Sequence, residues 1–182
     1  MLDPQKRWRP LPDKPDYAGF LSFGGVPLAQ EPEDLAGVDV AIVGAPTDDL
    51  VSDRPGTRFA PRAIRSAGCP PGPHLEAGVD AFAELKIVDY GDAPVVPADP
   101  AASHAAIERI VGEVVDAGVL PVTLGGDHSI TQSCIGAIAA RRGVSPRTVA
   151  NQIARLFAKL RVGSRLTLAI AVRGASFTPA SR

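Results

Sequence analysis

The chain has 182 residues, which is enough for one ordinary domain or for a small domain with an appendage. Its hydrophobic content of 45% and charged content of 21% are normal for a soluble globular protein, and its formal net charge is −1. The sequence lacks a run of about 18 apolar residues and an apolar leader, so we expect neither a membrane span nor a signal peptide. Two isolated cysteines favour a reduced, cytoplasmic protein over a disulfide framework.

Charge is distributed unevenly along the chain. Residues 1–131 carry 10 Lys/Arg and 20 Asp/Glu, a net of −10, whereas residues 132–182 carry 9 Lys/Arg and no acid, a net of +9. This split indicates two parts with different partners, and the basic part suits a polyanion. The alternative is an intramolecular match, with the basic tail docked on the acidic body.

The first elements are an arm and a strand. Residues 1–37 are rich in proline and predict an irregular amino-terminal arm. Within it, we expect Phe20 and Phe23 to pack on the core; contact with a neighbouring subunit, and hence a homo-oligomer, is the alternative. Val38–Ala45 is almost continuously apolar, with β-branched residues, and predicts a strand of a parallel sheet buried on both faces.

A loop and a short helix follow this strand. The loop Pro46–Gly56 lies at the strand's carboxyl end and contains three acids: Asp48, Asp49 and Asp53. These acids could cluster around a cation, although loop carboxylates are usually solvated. Pro61–Ala67 predicts a short helix with proline in its first turn. Three basic side chains are spaced to lie near one face of this segment: Arg58, Arg62 and Arg65.

Strand, helix and strand then alternate. Leu85–Asp92 predicts a second strand, and Val119–Leu124 predicts a third. Between them, the apolar spacing of Ser103–Ala117 predicts an amphipathic helix, with Ser103 as its N-cap and His104 exposed. This order favours right-handed crossovers and an α/β fold with a parallel sheet.

The third strand leads into the segment Thr123–Ser129, which contains a Gly-Gly-Asp-His-Ser sequence. Two glycines allow a sharp turn and a close approach of the backbone. Asp127 and His128 would then project from the carboxyl edge of the sheet, where open α/β folds place their sites. An imidazole beside carboxylates suits a transition-metal ion. The plainer interpretation is a strand-to-helix turn in which Asp127 caps the next helix.

Together, four segments resemble the agmatinase/arginase ureohydrolases, with coverage from about residue 17 to residue 131: Asp39–Pro46, Arg54–Arg65, Val88–Asp92 and Leu124–Ser129. The resemblance implies a partial three-layer α/β/α parallel sheet, truncated relative to the family, at residues 38–131. It also implies hydrolysis of a guanidino compound, such as agmatine or guanidinobutyrate, to urea plus amine at a binuclear manganese centre. By motif position, His128 corresponds to one metal ligand.

The remaining ligands of that centre should come from a later Asp-x-His-x-Asp segment and from an Asp-x-Asp segment. Neither occurs, because no Asp, Glu or His follows His128. We therefore predict that the chain alone has no ureohydrolase activity and that no catalytic residue can be assigned. A single-His manganese contact is the most that we expect.

Residues 132–182 predict a basic, α-helical carboxyl-terminal tail. Its residues 135–160 are typical of a helix-turn-helix, because Gly143 ends one helix, Ser145 caps the next and Pro146 takes the first helical position. Gly163–Ala171 predicts a third helical segment.

The tail resembles the carboxyl-terminal part of LuxR-type helix-turn-helix regulators over about residues 135–172. That resemblance implies that the helix starting at Ser145 enters the major groove of DNA. Four side chains are the predicted contacts: Arg147, Thr148, Asn151 and Arg155. The alternative function is therefore a DNA-binding transcriptional regulator, and the plainer alternative is a helical pair packed on an incomplete sheet. The whole chain reads as a chimera joined near residue 132, whether a real fusion or a product of rearrangement or frameshift.

Overall fold

Three apolar runs form a parallel sheet in the computed structural model, which describes residues 19–68 and 80–159. The strands are β1 (Val40–Gly44), β2 (Ile87–Asp92) and β3 (Leu120–Leu124). Their order is β2-β1-β3, with Val40 in register with Ile87 on one side and with Leu120 on the other. Every residue of β1 is buried, as the continuous apolar pattern predicts for a central parallel strand.

Helices connect the strands and continue the chain beyond them. They are α1 (Ala60–Ala67), α2 (Ala81–Glu84), α3 (Pro100–Asp116), α4 (Ile130–Arg142) and α5 (Pro146–Lys159). Short 3₁₀ helices occupy Phe23–Gly25, Pro32–Leu35 and Thr57–Phe59. None of the helices in the described ranges has the length and apolar character needed to cross a bilayer.

The core lies on both faces of the sheet. On one face Ala41 and Val43 pack with Val114 of α3. On the other face Ile42 packs beneath Phe82 of α2. Successive side chains of β1 point to opposite faces, so both faces need an apolar cover. The predicted α/β class with helices over a parallel sheet is confirmed.

The arm is fastened to the edge of the sheet next to β2. Leu28 forms a parallel bridge with Asp89, and the N–H of Ala29 donates to the Asp89 carbonyl at 2.9 Å. Phe23 packs on the sheet as expected. Phe20 is 90% exposed, so its predicted packing is wrong. The Phe23 N–H donates to the Asp89 carboxylate at 2.8 Å. This contact holds the chain three residues beyond Phe20, so it does not hold Phe20 against the core.

Helix α3 begins before the predicted N-cap. The Asp99 carboxylate accepts from the Ala102 N–H at 2.9 Å, and Pro100 takes the first helical position. Ser103 is buried, and its hydroxyl bonds to the Val96 N–H and carbonyl at 3.0 and 2.9 Å. The predicted Ser103 cap is therefore wrong, because Asp99, four residues earlier, caps the helix and Pro100 takes its first position.

Helix α4 is part of the packed body. Its Ile130 and Ala137 join Ile107 and Val111 of α3 in one apolar cluster. The domain boundary that the sequence predicts between residues 131 and 132 falls inside this helix.

The turn between α4 and α5 follows the predicted chemistry. Gly143 ends α4 in the left-handed conformation with φ 61°, which residues with a Cβ adopt at a cost. The Ser145 hydroxyl accepts from the Thr148 N–H at 3.2 Å, and Pro146 starts α5. The third helical segment predicted at 163–171 lies outside the described residues.

Candidate functional site at the end of strand β3

The turn after β3 is pressed against the loop after β1. A Cβ on Gly126 would lie 2.3 Å from the Thr47 carbonyl oxygen and 2.5 Å from that of Ala45, whereas Gly125 has open space. The N–H of Asp127 donates to the Thr47 carbonyl at 3.0 Å. Gly126 is therefore required for the close backbone approach that shapes the site.

Asp127 holds this turn together. Its carboxylate accepts from the Ser129 N–H at 2.8 Å and from the Leu50 N–H at 3.1 Å. Burial opposes ionisation, but the hydrogen bonds from Ser129 and Leu50 outweigh it and lower the pKa of Asp127. Both carboxylate oxygens are thus committed to backbone donors, and Asp127 joins the turn to the loop at Leu50.

His128 is exposed in an open pocket of about 380 Å³. The pocket is lined by residues 50–54, Thr57 and residues 126–129. Among the described residues, no hydrogen bond or ion pair engages the imidazole of His128. The one histidine that the sequence selects as a ligand therefore lies at the carboxyl edge of the sheet with its ring accessible.

The acids of the loop after β1 are committed to the fold. Asp48 is buried and accepts from the Gly56 N–H at 2.5 Å and from the Arg58 guanidinium. Arg58 also donates to Asp49 at 3.1 Å. Despite burial, these bonds from Gly56 and Arg58 lower the pKa of Asp48. The expectation that these carboxylates are solvated is wrong for Asp48, which is buried and stabilises the loop. Of the three acids, only Asp53 is exposed.

A second buried ion network lies beneath β2. The Arg65 guanidinium binds Asp89 through two contacts of 2.7 and 2.8 Å and Asp92 through one of 2.5 Å. Burial disfavours the charged form, yet the bonds to Asp89 and Asp92 raise the pKa of Arg65. Arg62 remains exposed. The three arginines of this segment therefore do not present one common surface: Arg58, Arg62 and Arg65.

His104 contacts the site turn from α3. Its Nε2 lies 2.8 Å from the Ser129 hydroxyl, and both side chains are half-buried. The expectation that His104 is merely exposed is wrong. The contact joins residues 25 positions apart, so local spacing contains no signal for it.

Two metal ions do not fit the donor groups that the described ranges provide. Residues 19–68 and 80–159 contain no group of three or more His, Cys, Asp or Glu side chains that could hold a metal ion. Four acids of this region already accept hydrogen bonds from other groups: Asp48, Asp89, Asp92 and Asp127. Asp53 lines the same pocket as His128, but these two side chains alone do not make a binuclear site.

The predicted DNA contacts lie together on α5. All four side chains are exposed: Arg147, Thr148, Asn151 and Arg155. Val149, between them in sequence, is buried on the opposite side of the helix. Among the residues of α5 whose burial is described, Val149 is buried and the four predicted contacts are exposed.

Known proteins place this α/β fold and its site turn in one family. The arginase family model matches residues 38–150, which extends past residue 131 into α5. Guanidinobutyrase of Pseudomonas aeruginosa is 34% identical over 132 residues, or 72% of this chain and 41% of the relative. Mitochondrial agmatinase of Gallus gallus is 37% identical over 126 residues, or 69% and 36%. A crystal structure of a hypothetical agmatinase from Burkholderia thailandensis superimposes with a TM-score of 0.62 at 33% identity, covering 70% of this chain and 40% of that one.

The fold and site turn define an α/β protein with an exposed imidazole at the carboxyl edge of its sheet. The chain belongs to the arginase family. It spans about two fifths of the length of the curated relatives that it matches.

Proposed function

We propose that this chain is the counterpart of the amino-terminal part of an agmatinase-like ureohydrolase and that its 182 residues do not hydrolyse a guanidino compound by themselves. Family membership supports the ancestry. The observation that carries the inactivity is the donor set: in the described ranges no three metal-ligating side chains converge. A binuclear centre needs several carboxylates as well as imidazoles to bind two hard cations.

In this proposal His128 is the contribution of this chain to a manganese site. Its ring is accessible at the carboxyl edge of the sheet, which suits a ligand. The names of the relatives, guanidinobutyrase and agmatinase, point to a small guanidino compound as the substrate class. Manganese, when bound, would supply Lewis-acid chemistry. The described residues do not form a complete set of ligands for it.

The test is urea release by the purified chain with Mn²⁺ and agmatine or 4-guanidinobutyrate at high protein concentration. We expect no urea above the blank. Guanidinobutyrase of Pseudomonas aeruginosa, assayed in parallel, checks the conditions. Urea release that disappears in His128→Asn would contradict the proposal, since it would show an active site built around His128.

A second candidate function is DNA binding through α5. It is supported by a helix that Ser145 caps and whose exposed face carries Arg147 and Arg155. Residues 132–182 contain no acid that would repel a phosphate backbone. The intact chain should then shift duplex DNA, with an affinity that falls steeply as salt rises, because bound counterions are released.

The variant Arg147→Ala/Arg155→Ala should weaken the shift, and Arg62→Ala, an exposed arginine of the α/β body, should not. Binding that is absent at low salt would overturn this candidate. Equal binding by all three proteins would overturn it as well.

A further inference from the structure

We propose that Ser129 and His104 form a nucleophile and general-base pair, which gives the pocket an acyl-transfer activity that needs no metal. The Ser129 Oγ and the His104 Nε2 are 2.8 Å apart, which is within the range for direct proton transfer between a hydroxyl and an imidazole. This activity is separate from the guanidino chemistry proposed above.

The position of Ser129 suits a nucleophile. It stands between β3 and α4, on a sharp strand-to-helix turn at the carboxyl edge of a parallel sheet, and it lines the pocket of about 380 Å³. Unlike the strained turn that carries the nucleophile in α/β hydrolases, Ser129 has ordinary helical backbone angles, φ −64° and ψ −27°, at the N-cap of α4. Asp127 fixes the backbone of this serine by accepting from its N–H at 2.8 Å.

The position of His104 suits a base. It reaches the serine from α3, whose contact with α4 is part of the packed core. His104 therefore stands on a helix that apolar packing holds, and Ser129 is the residue that directly precedes α4.

The reaction uses only an ester and water. The Ser129 Oγ attacks the ester carbonyl carbon while its proton moves to His104 Nε2. The carbon–oxygen bond to the leaving group then breaks, and the leaving oxygen either takes that proton or departs as an anion while His104 releases the proton to solvent water. Water then attacks the acyl-serine, gives a proton to His104 and releases the carboxylic acid, and the serine recovers its proton.

The pocket limits which esters can react. It is small and open, and the Ser129 N–H already donates to Asp127, so this N–H does not stabilise the developing oxyanion. We therefore expect turnover of activated esters of short carboxylic acids, with p-nitrophenyl acetate as the probe, and slow turnover of unactivated esters.

The experiment measures p-nitrophenolate release by the purified chain in a metal chelator, together with the intact mass after mixing. We expect an acetyl adduct on Ser129 and a rate that falls about tenfold or more in Ser129→Ala and His104→Gln, because a positioned base contributes at least that much. The matched control Ser66→Ala, an exposed serine of α1, should keep the wild-type rate.

Thermal melts of each variant separate loss of folding from loss of chemistry. His104→Gln can still hydrogen-bond to Ser129 but cannot accept its proton, so a folded, inactive His104→Gln supports the pair. Unchanged rates in folded Ser129→Ala, or an adduct on another residue, would overturn the proposal. Urea assays of the same samples report separately on the guanidino chemistry.

Discussion

The acidic α/β body and the basic helix α5 differ in whether their charged side chains are buried and paired or exposed. In the body, carboxylates such as Asp48 and Asp89 are buried and paired with Arg58 and Arg65. On α5, the arginines Arg147 and Arg155 are exposed, and their own segment contains no acid to pair with them. Charge in the body thus fixes loops and strands, whereas the two arginines of α5 are exposed to solvent.

Helix α4 connects the α/β body to α5. Its apolar side packs on α3, and Arg141 near its end donates to Asp116 of α3 at 2.8 Å. Both side chains of this pair are more than half exposed, so it contributes little to stability. Apolar packing rather than this ion pair therefore joins the basic part to the body.

The largest expected effect comes from the buried network. Arg65→Ala leaves Asp89 buried without its cation and should lower the free energy of unfolding by about 3–5 kcal/mol. Arg62→Ala, three residues away and exposed, should change it by less than about 0.5 kcal/mol. Urea denaturation of both variants measures the difference. Equal stability of the two would show that charge pairing does not fix the body.

Substitution of Asp127 tests whether a buried charge also stabilises the site turn. Asp127→Asn should cost about 1.5–3 kcal/mol at neutral pH, because it removes a charged acceptor of two backbone N–H groups. The folded pKa of Asp127 is lowered, so its contribution is present above the unfolded value of about 4 and is lost as pH falls through the folded pKa.

The stability difference between wild type and Asp127→Asn should therefore shrink when denaturation is repeated below about pH 4. Asp53→Asn changes an exposed carboxylate and should have little effect at either pH. A difference that stays constant with pH would contradict the role assigned to the Asp127 charge.

The two glycines of the turn provide a matched pair. Gly126→Ala places a methyl group against two backbone carbonyls and should destabilise the chain by about 1–3 kcal/mol. Gly125→Ala meets open space and should be tolerated. Thermal melts compare the two variants. If Gly125→Ala were the more harmful one, the packing of the turn on the loop after β1 would be wrong.

The smallest effect is expected in α5. Ser145→Ala removes the cap and should cost about 1 kcal/mol, confined to this helix. Amide hydrogen exchange should accelerate in α5 and stay unchanged in β1, while Ser66→Ala leaves both unchanged. Faster exchange throughout the sheet would show that α5 supports the body.

Local sequence signals predicted elements well, but not the contacts between them. The apolar run of β1 and the Gly143, Ser145 and Pro146 boundary depend on adjacent residues, so both were predictable. The contacts of Arg65 with Asp89 and of His104 with Ser129 join residues 24 and 25 positions apart, and they form only when the fold brings two elements together. The site turn was found through its motif, whereas its imidazole–hydroxyl pair needed the structure.

The most direct test of the central claim is the manganese stoichiometry of the purified chain, measured by titration with Mn²⁺ and elemental analysis after gel filtration. A family member whose donors do not converge should retain less than one ion per chain, and His128→Asn should remove the weak binding that remains. Two tightly retained ions per chain would contradict the claim, because they would require a cage that the described residues do not form.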